Sequence, residues 1–78
     1  MIAITLLETP YGSLMKVTNL DDVHPLVRRR LADLGIMQGS VISLRKAMPF
    51  GGPCTIEVKG QWIAIRRKDA GRIVVEAC

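Results

Sequence analysis

The sequence predicts a mainly β domain, a small and partly open barrel of about five antiparallel strands with one α-helix inserted after the first. Two patterns carry that expectation. Apolar residues up to Leu34 recur at about 3.6 residues per turn, whereas after Gly39 they recur every second residue, at Ile42 and Leu44, Ile56 and Val58, and Ile63 and Ile65. Gly and Pro clusters cut the alternating runs into short pieces. A third consideration is size. A chain of 78 residues buries only about 60% of its unfolded surface. Its 49% hydrophobic content supports a core without metal or disulfides, provided the short strands close on one another and hide their edges.

The elements follow in order. Ile2 to Glu8 is apolar and is ended by Pro10 and Gly12, with Thr5 to Glu8 able to form one helical turn. Ser13 to Leu20 has strand character, with Leu14 and Val17 expected inside. Asp21 and Asp22 suit a helix start, because carboxylates accept orphan N–H groups and favour the positive dipole end. Pro25 is tolerated only in a first turn, so the helix should run from Val23 or His24 to Leu34. Val27, Leu31 and Leu34 form its apolar stripe, with Arg28, Arg29 and Asp33 on other faces. Gly35 is expected to end the helix at φ > 0, with Ile36 packing back on the last turn.

Gly39-Ser40 is a second turn, and Val41 to Leu44 a strand with Ile42 and Leu44 on one face and Ser43 and Arg45 on the other. Residues 48–53 hold two prolines and two glycines, which cannot continue a ladder. Thr55 to Val58 alternates, Lys59-Gly60 reads as a hairpin turn, and Ile63 and Ile65 face inward on the returning strand. Lys68 to Gly71 makes a helical turn or a tight loop, and Ile73 to Glu76 is the last strand. With no repeat or low-complexity linker, residues 1–78 are expected to be one domain, for which an SH3-like barrel is the economical architecture.

Composition excludes several functions. A net charge of +4 favours acidic partners, yet three aromatic residues cannot supply a base-stacking platform. The one convincing helix offers a DNA groove a single turn of arginines, which leaves a nucleic-acid-binding barrel as a third reading. Enzyme signatures are missing. His24 sits beside Pro25 without a nucleophile pattern, Asp21, Asp22 and Asp33 fit capping and surface roles, and Gly51-Gly52 lacks the Gly-Lys-Ser/Thr of a phosphate loop. No catalytic residue, cofactor or metal ligand is assigned. A metal-sensing or metal-binding module is the alternative function, with Cys54, Cys78 and His24 as scattered candidate ligands. Two cysteines without Cys-x-x-Cys fit free thiols in a reducing compartment. Met1 to Leu7 is too short for a signal peptide, and no apolar run approaches a membrane span. A cytoplasmic protein that is not membrane-embedded is therefore expected.

What remains is a contact surface. Met48, Pro49 and Phe50 lie in an unusually apolar loop, and Trp62 lies nearby in sequence on the next hairpin. Phe50 has two readings, a partner anchor or a lid folded under the loop onto the barrel's open end. Arg28, Arg29, Arg45, Lys46, Arg66, Arg67 and Lys68 form a basic set, part of which would converge if the end of the helix crosses the strand ends. The partner-binding candidates are Met48, Pro49, Phe50, Trp62, Arg66 and Arg67.

The order and spacing of Arg29-Arg30-Leu31-x-Asp33-Leu34-Gly35-Ile36-x-x-Gly39-Ser40, Pro49-x-Gly51-x-Pro53, Gly60-x-x-Ile63-Ala64-Ile65-Arg66 and Asp69-Ala70 resemble the ferrous iron transport protein A family, FeoA. The resemblance runs from about Thr5 to Glu76. It implies an SH3-like fold and a non-enzymatic cytosolic role in ferrous iron uptake. The partner it implies is the cytosolic region of a FeoB-type membrane permease. The same module ends iron- and manganese-dependent repressors, but no DNA-binding domain is expected before it here. Trp62, where the family usually has a polar or basic residue, and Met48 before the loop proline depart from the family pattern.

Overall fold

The computed structural model describes residues 4–78, and over them six strands form one antiparallel sheet. β1 (Ile4–Thr5) leads into a 3-10 turn (Leu6–Glu8), then β2 (Met15–Asn19), α1 (Pro25–Asp33), β3 (Val41–Ala47), β4 (Cys54–Val58), β5 (Gln61–Ile65), α2 (Arg67–Ala70) and β6 (Val74–Ala77). The sheet order is β1-β6-β2-β3-β4-β5, so β1 and β5 are its edges and the domain is a small, partly open SH3-like barrel. Six strands replace the expected five, and the helix follows the second strand instead of the first. The extra strand is β1, whose two residues pair with Val75 and Val74. Two residues show no periodicity, and they become a strand only because β6 offers them a ladder. Ile2 and Ala3, the start of the expected apolar run, lie outside the described residues.

α1 begins and ends through local chemistry. His24 is its N-cap, with Nδ1 accepting the Leu26 N–H at 3.1 Å. Asp21 and Asp22 do not cap it, contrary to expectation. Pro25 sets the first helical residue, which leaves both aspartates outside the turn, and the Asp21 N–H donates instead to Asn19 Oδ1 at 2.6 Å. At the other end Gly35 has φ +89°, its N–H donating to Ala32 O at 3.0 Å while the Ile36 N–H donates to Leu31 O at 2.8 Å. That pair of bonds is the Schellman motif, and glycine alone enters this φ without a Cβ clash.

The core joins the two faces this turn connects. Leu31 and Ile36 are fully buried with Val17, Ile42, Ile56 and Val75. Three expectations about facing fail here. Leu34 is 39% exposed, because the chain turns at Gly35 and Ile36 takes the core place beside Leu31. Leu14 is 61% exposed while Met15 is buried. A strand alternates with period 2, so Leu14 cannot share a face with Val17. Pairing of Met15 with Ile42 and of Val17 with Val75 selects the other phase. Ser43 is buried instead of sharing an exposed face with Arg45. It lies on an interior strand opposite Glu57, whose ion pair with Arg45 shades so short a side chain, and a register shift between Leu44 and Lys46 breaks the simple alternation.

Candidate functional site

The connection between β3 and β4 is closed by two hydrogen bonds, Met48 N–H to Pro53 O at 3.1 Å and Gly52 N–H to Pro49 O at 3.3 Å. Inside it Phe50 and Gly51 have φ of +59° and +77°, the positive pair of a type I′ turn. Gly52 is required for space: a Cβ there would stand 2.8 Å from Met48 Cβ. The loop thus holds its own shape and lifts Phe50 clear of the protein. Phe50 is wholly exposed, with a relative accessibility of 103%, so the lid reading is wrong. A lid would have to lie on the barrel mouth, and the left-handed backbone at Phe50 carries the ring outward.

Met48 and Pro49 are exposed beside the ring. Behind the loop, Arg66, Arg67 and Lys68 line a shallow concavity with Gly51 and Pro53, and Arg67 Nη1 reaches the Met48 carbonyl at 3.5 Å. The structure therefore gathers Met48, Pro49, Phe50, Arg66 and Arg67 at one end of the sheet. Trp62, though exposed, pairs with Glu57 three residues before the Ile65–Cys54 pair that adjoins the loop. That places it roughly 10 Å along the strand, toward the opposite turn.

The rest of the basic set disperses. Arg28 folds back, its Nη2 donating to Val23 O at 3.2 Å and Asp21 O at 3.4 Å, and Arg45 pairs with Glu57. Arg30, absent from that set, instead faces Arg66 across a groove of about 330 Å³ between α1 and β5. Leu26, Arg30 and Leu34 line one wall of this groove, and Pro53, Ala64 and Ile65 contribute to the other. The i, i+4, i+8 spacing of Leu26, Arg30 and Leu34 was readable in the sequence, but nothing local showed that they border a groove that Val27 and Leu31 also line.

The candidate metal ligands occupy three unrelated places. His24 caps α1 through Nδ1, Cys54 is buried at the start of β4, and Cys78 is the exposed last residue. Burial pushes the Cys54 thiol up, against a smaller opposing pull from the Arg67 charge, which disfavours the thiolate. Among the described residues no three of His, Cys, Asp and Glu gather in a ligating group, and no helix is long and apolar enough to cross a membrane.

Residues 4–77 match the FeoA domain family model. Solved structures agree over nearly all of the chain. The FeoA protein of Chlorobium tepidum is 32% identical, with a TM-score of 0.86 over 95% of this chain and 70% of that one. An FeoA-like protein of Clostridium acetobutylicum is 30% identical, with a TM-score of 0.80 over 99% of this chain and 88% of that one. A manganese-dependent transcriptional repressor shares the fold at 21% identity, with a TM-score of 0.84 over 97% of this chain and 42% of its own.

Proposed function

The chain belongs to the FeoA domain family, and from that premise we propose that it serves ferrous iron uptake as a non-enzymatic accessory protein in the cytoplasm. It acts by binding the cytosolic region of a FeoB-type permease through the loop tip at Met48, Pro49 and Phe50. Arg66 and Arg67 form a basic rim behind that tip, and Trp62 lies farther along β5, on the next hairpin.

One observation carries this reading. A large aromatic side chain stands fully in water at a backbone position that disfavours any residue with a Cβ. Folding gains nothing from a phenyl ring there, while a partner pocket would gain an anchor already held in place, with no loop left to order on binding. The rim arginines would speed encounter with an acidic surface more than they would add to affinity.

The test is binding to the isolated cytosolic region of the permease, with melting measured in parallel. Phe50→Ser should weaken binding by about 2 kcal/mol, roughly thirtyfold, and leave the melting midpoint unchanged. Charge reversal at Arg66 and Arg67 should slow association, and less so at high salt. Normal binding by folded Phe50→Ser protein would overturn the assignment of the loop.

A further inference from the structure

We propose that the outer edge of β5, with the groove between it and α1, receives an extended, acid-flanked apolar segment of a partner protein as an added strand. This is a second contact beside the loop tip, with which it shares the basic residues Arg66 and Arg67.

Among the described residues β5 has a neighbour on one side only. Lys59 and Gly60, at φ +50° and +78°, form a two-residue turn, which makes Val58–Gln61 a hydrogen-bonded pair. Antiparallel ladders alternate, so Ile63 and Ile65 also bond to β4, while Trp62 and Ala64 turn their N–H and C=O groups away from it. Those four groups are an unused template for a strand. Ala64 is exposed, and its small side chain leaves the approach open.

Beside this edge lies the groove. Its α1 wall presents Leu26, 73% exposed, and Leu34, the residue expected in the core. These two are a spare apolar strip on the one helix long enough to flank the edge, and an added strand would cover them with alternate side chains.

Charge selects the occupant. Lys59 stands at one end of β5 and Arg66, Arg67 and Lys68 at the other, with Arg30 across the groove. Asp69 is the one carboxylate among the lining residues, and it is largely buried. A second copy of β5 would set like charges against one another in either direction, whereas a segment with acidic residues at both ends meets opposite charge at each.

The probe is a capped nonapeptide, EEVTVTVEE, added to the intact chain, with KKVTVTVKK as its control. The Trp62 and Ala64 amides, directed to solvent in the free protein, should exchange at least about tenfold more slowly when the acidic peptide is present, and the basic peptide should give no such protection. Ala64→Pro removes an outward N–H that the β4 ladder does not use, so it should fold and bind the peptide at least about tenfold more weakly. Should that variant misfold, Arg30→Glu with Arg66→Glu, both on exposed side chains, should give the same loss. Phe50→Ser should leave peptide binding unchanged. Protection absent from Trp62 and Ala64, equal binding of the two peptides, or self-association of the chain through β5 would each overturn the proposal.

Discussion

Two turns flank β4, and they solve the same backbone problem with opposite side chains. Lys59-Gly60 and Phe50-Gly51 both place a non-glycine residue at positive φ before a glycine, at +50° and +78° in one and +59° and +77° in the other. Lysine at such a tip keeps its charge in water, which is where a surface turn normally puts it. Phenylalanine in the same conformation leaves its ring unburied. The backbone strain is comparable, so the difference lies in what the tip is for: one turn closes a hairpin, and the other displays an apolar group.

The core sets the scale for testing this difference. Leu31→Ala should cost about 2–5 kcal/mol in denaturant unfolding, by the cavity it opens. Leu34→Ala, on the groove wall, should cost less than about 1 kcal/mol. Equal costs would mean that Leu34 is a core residue after all. Next comes the property that separates the two turns sterically. Gly52→Ala should destabilise by about 1–3 kcal/mol, because its Cβ meets Met48 Cβ. Nothing stands within 4 Å of a Cβ at Gly60, so Gly60→Ala should show only the strain of its φ, about 1 kcal/mol.

The most direct comparison removes both tips. Phe50→Gly and Lys59→Gly relieve left-handed strain of about 1–2 kcal/mol, offset by the greater freedom of glycine in the unfolded chain, so neither should lower the melting midpoint. Only Phe50→Gly should lose permease binding. A midpoint that falls with Phe50→Gly would return the ring to a structural role.

The smallest effect lies far from either turn. The Glu8 carboxylate accepts hydrogen bonds from the Thr5 N–H at 2.9 Å and the Thr5 hydroxyl at 3.0 Å, and these hold its carboxyl below the usual range. Its contribution is therefore present above the unfolded carboxylate pKa and is lost as pH falls through the lowered folded value. Glu8→Gln should lower stability slightly at neutral pH and leave it unchanged in acid, which flattens the acid limb of the stability curve. An unaltered acid limb would show that this bond adds nothing.

The candidate site was legible to the degree that it is local. Two prolines and two glycines announced the 48–53 loop, and its apolar tip was visible as residue types out of place. That Phe50 points outward was not legible, because the direction depends on a φ that the letters Phe-Gly do not specify. The groove was hidden for a different reason. It lies between a helix and a strand about thirty residues apart in the chain, and Leu26 and Leu34 look like any other apolar helix positions.

The chain by itself determined its punctuation. Pro25 started the helix, Gly35 stopped it, Lys59-Gly60 folded the hairpin, and the change of period at Gly39 marked where helix yields to strand. Each of these rests on interactions within about four residues, so the local sequence suffices. Tertiary structure decided which way residues face and which strands meet. It chose Met15 over Leu14 and Ile36 over Leu34 for the core, made a strand of Ile4 and Thr5, and left β5 as an edge. Those outcomes depend on ladders between β1, β6 and β2 and on a helix laid beside a distant strand. Local preference is nearly degenerate there, and the free energy of burying one face against another breaks the tie.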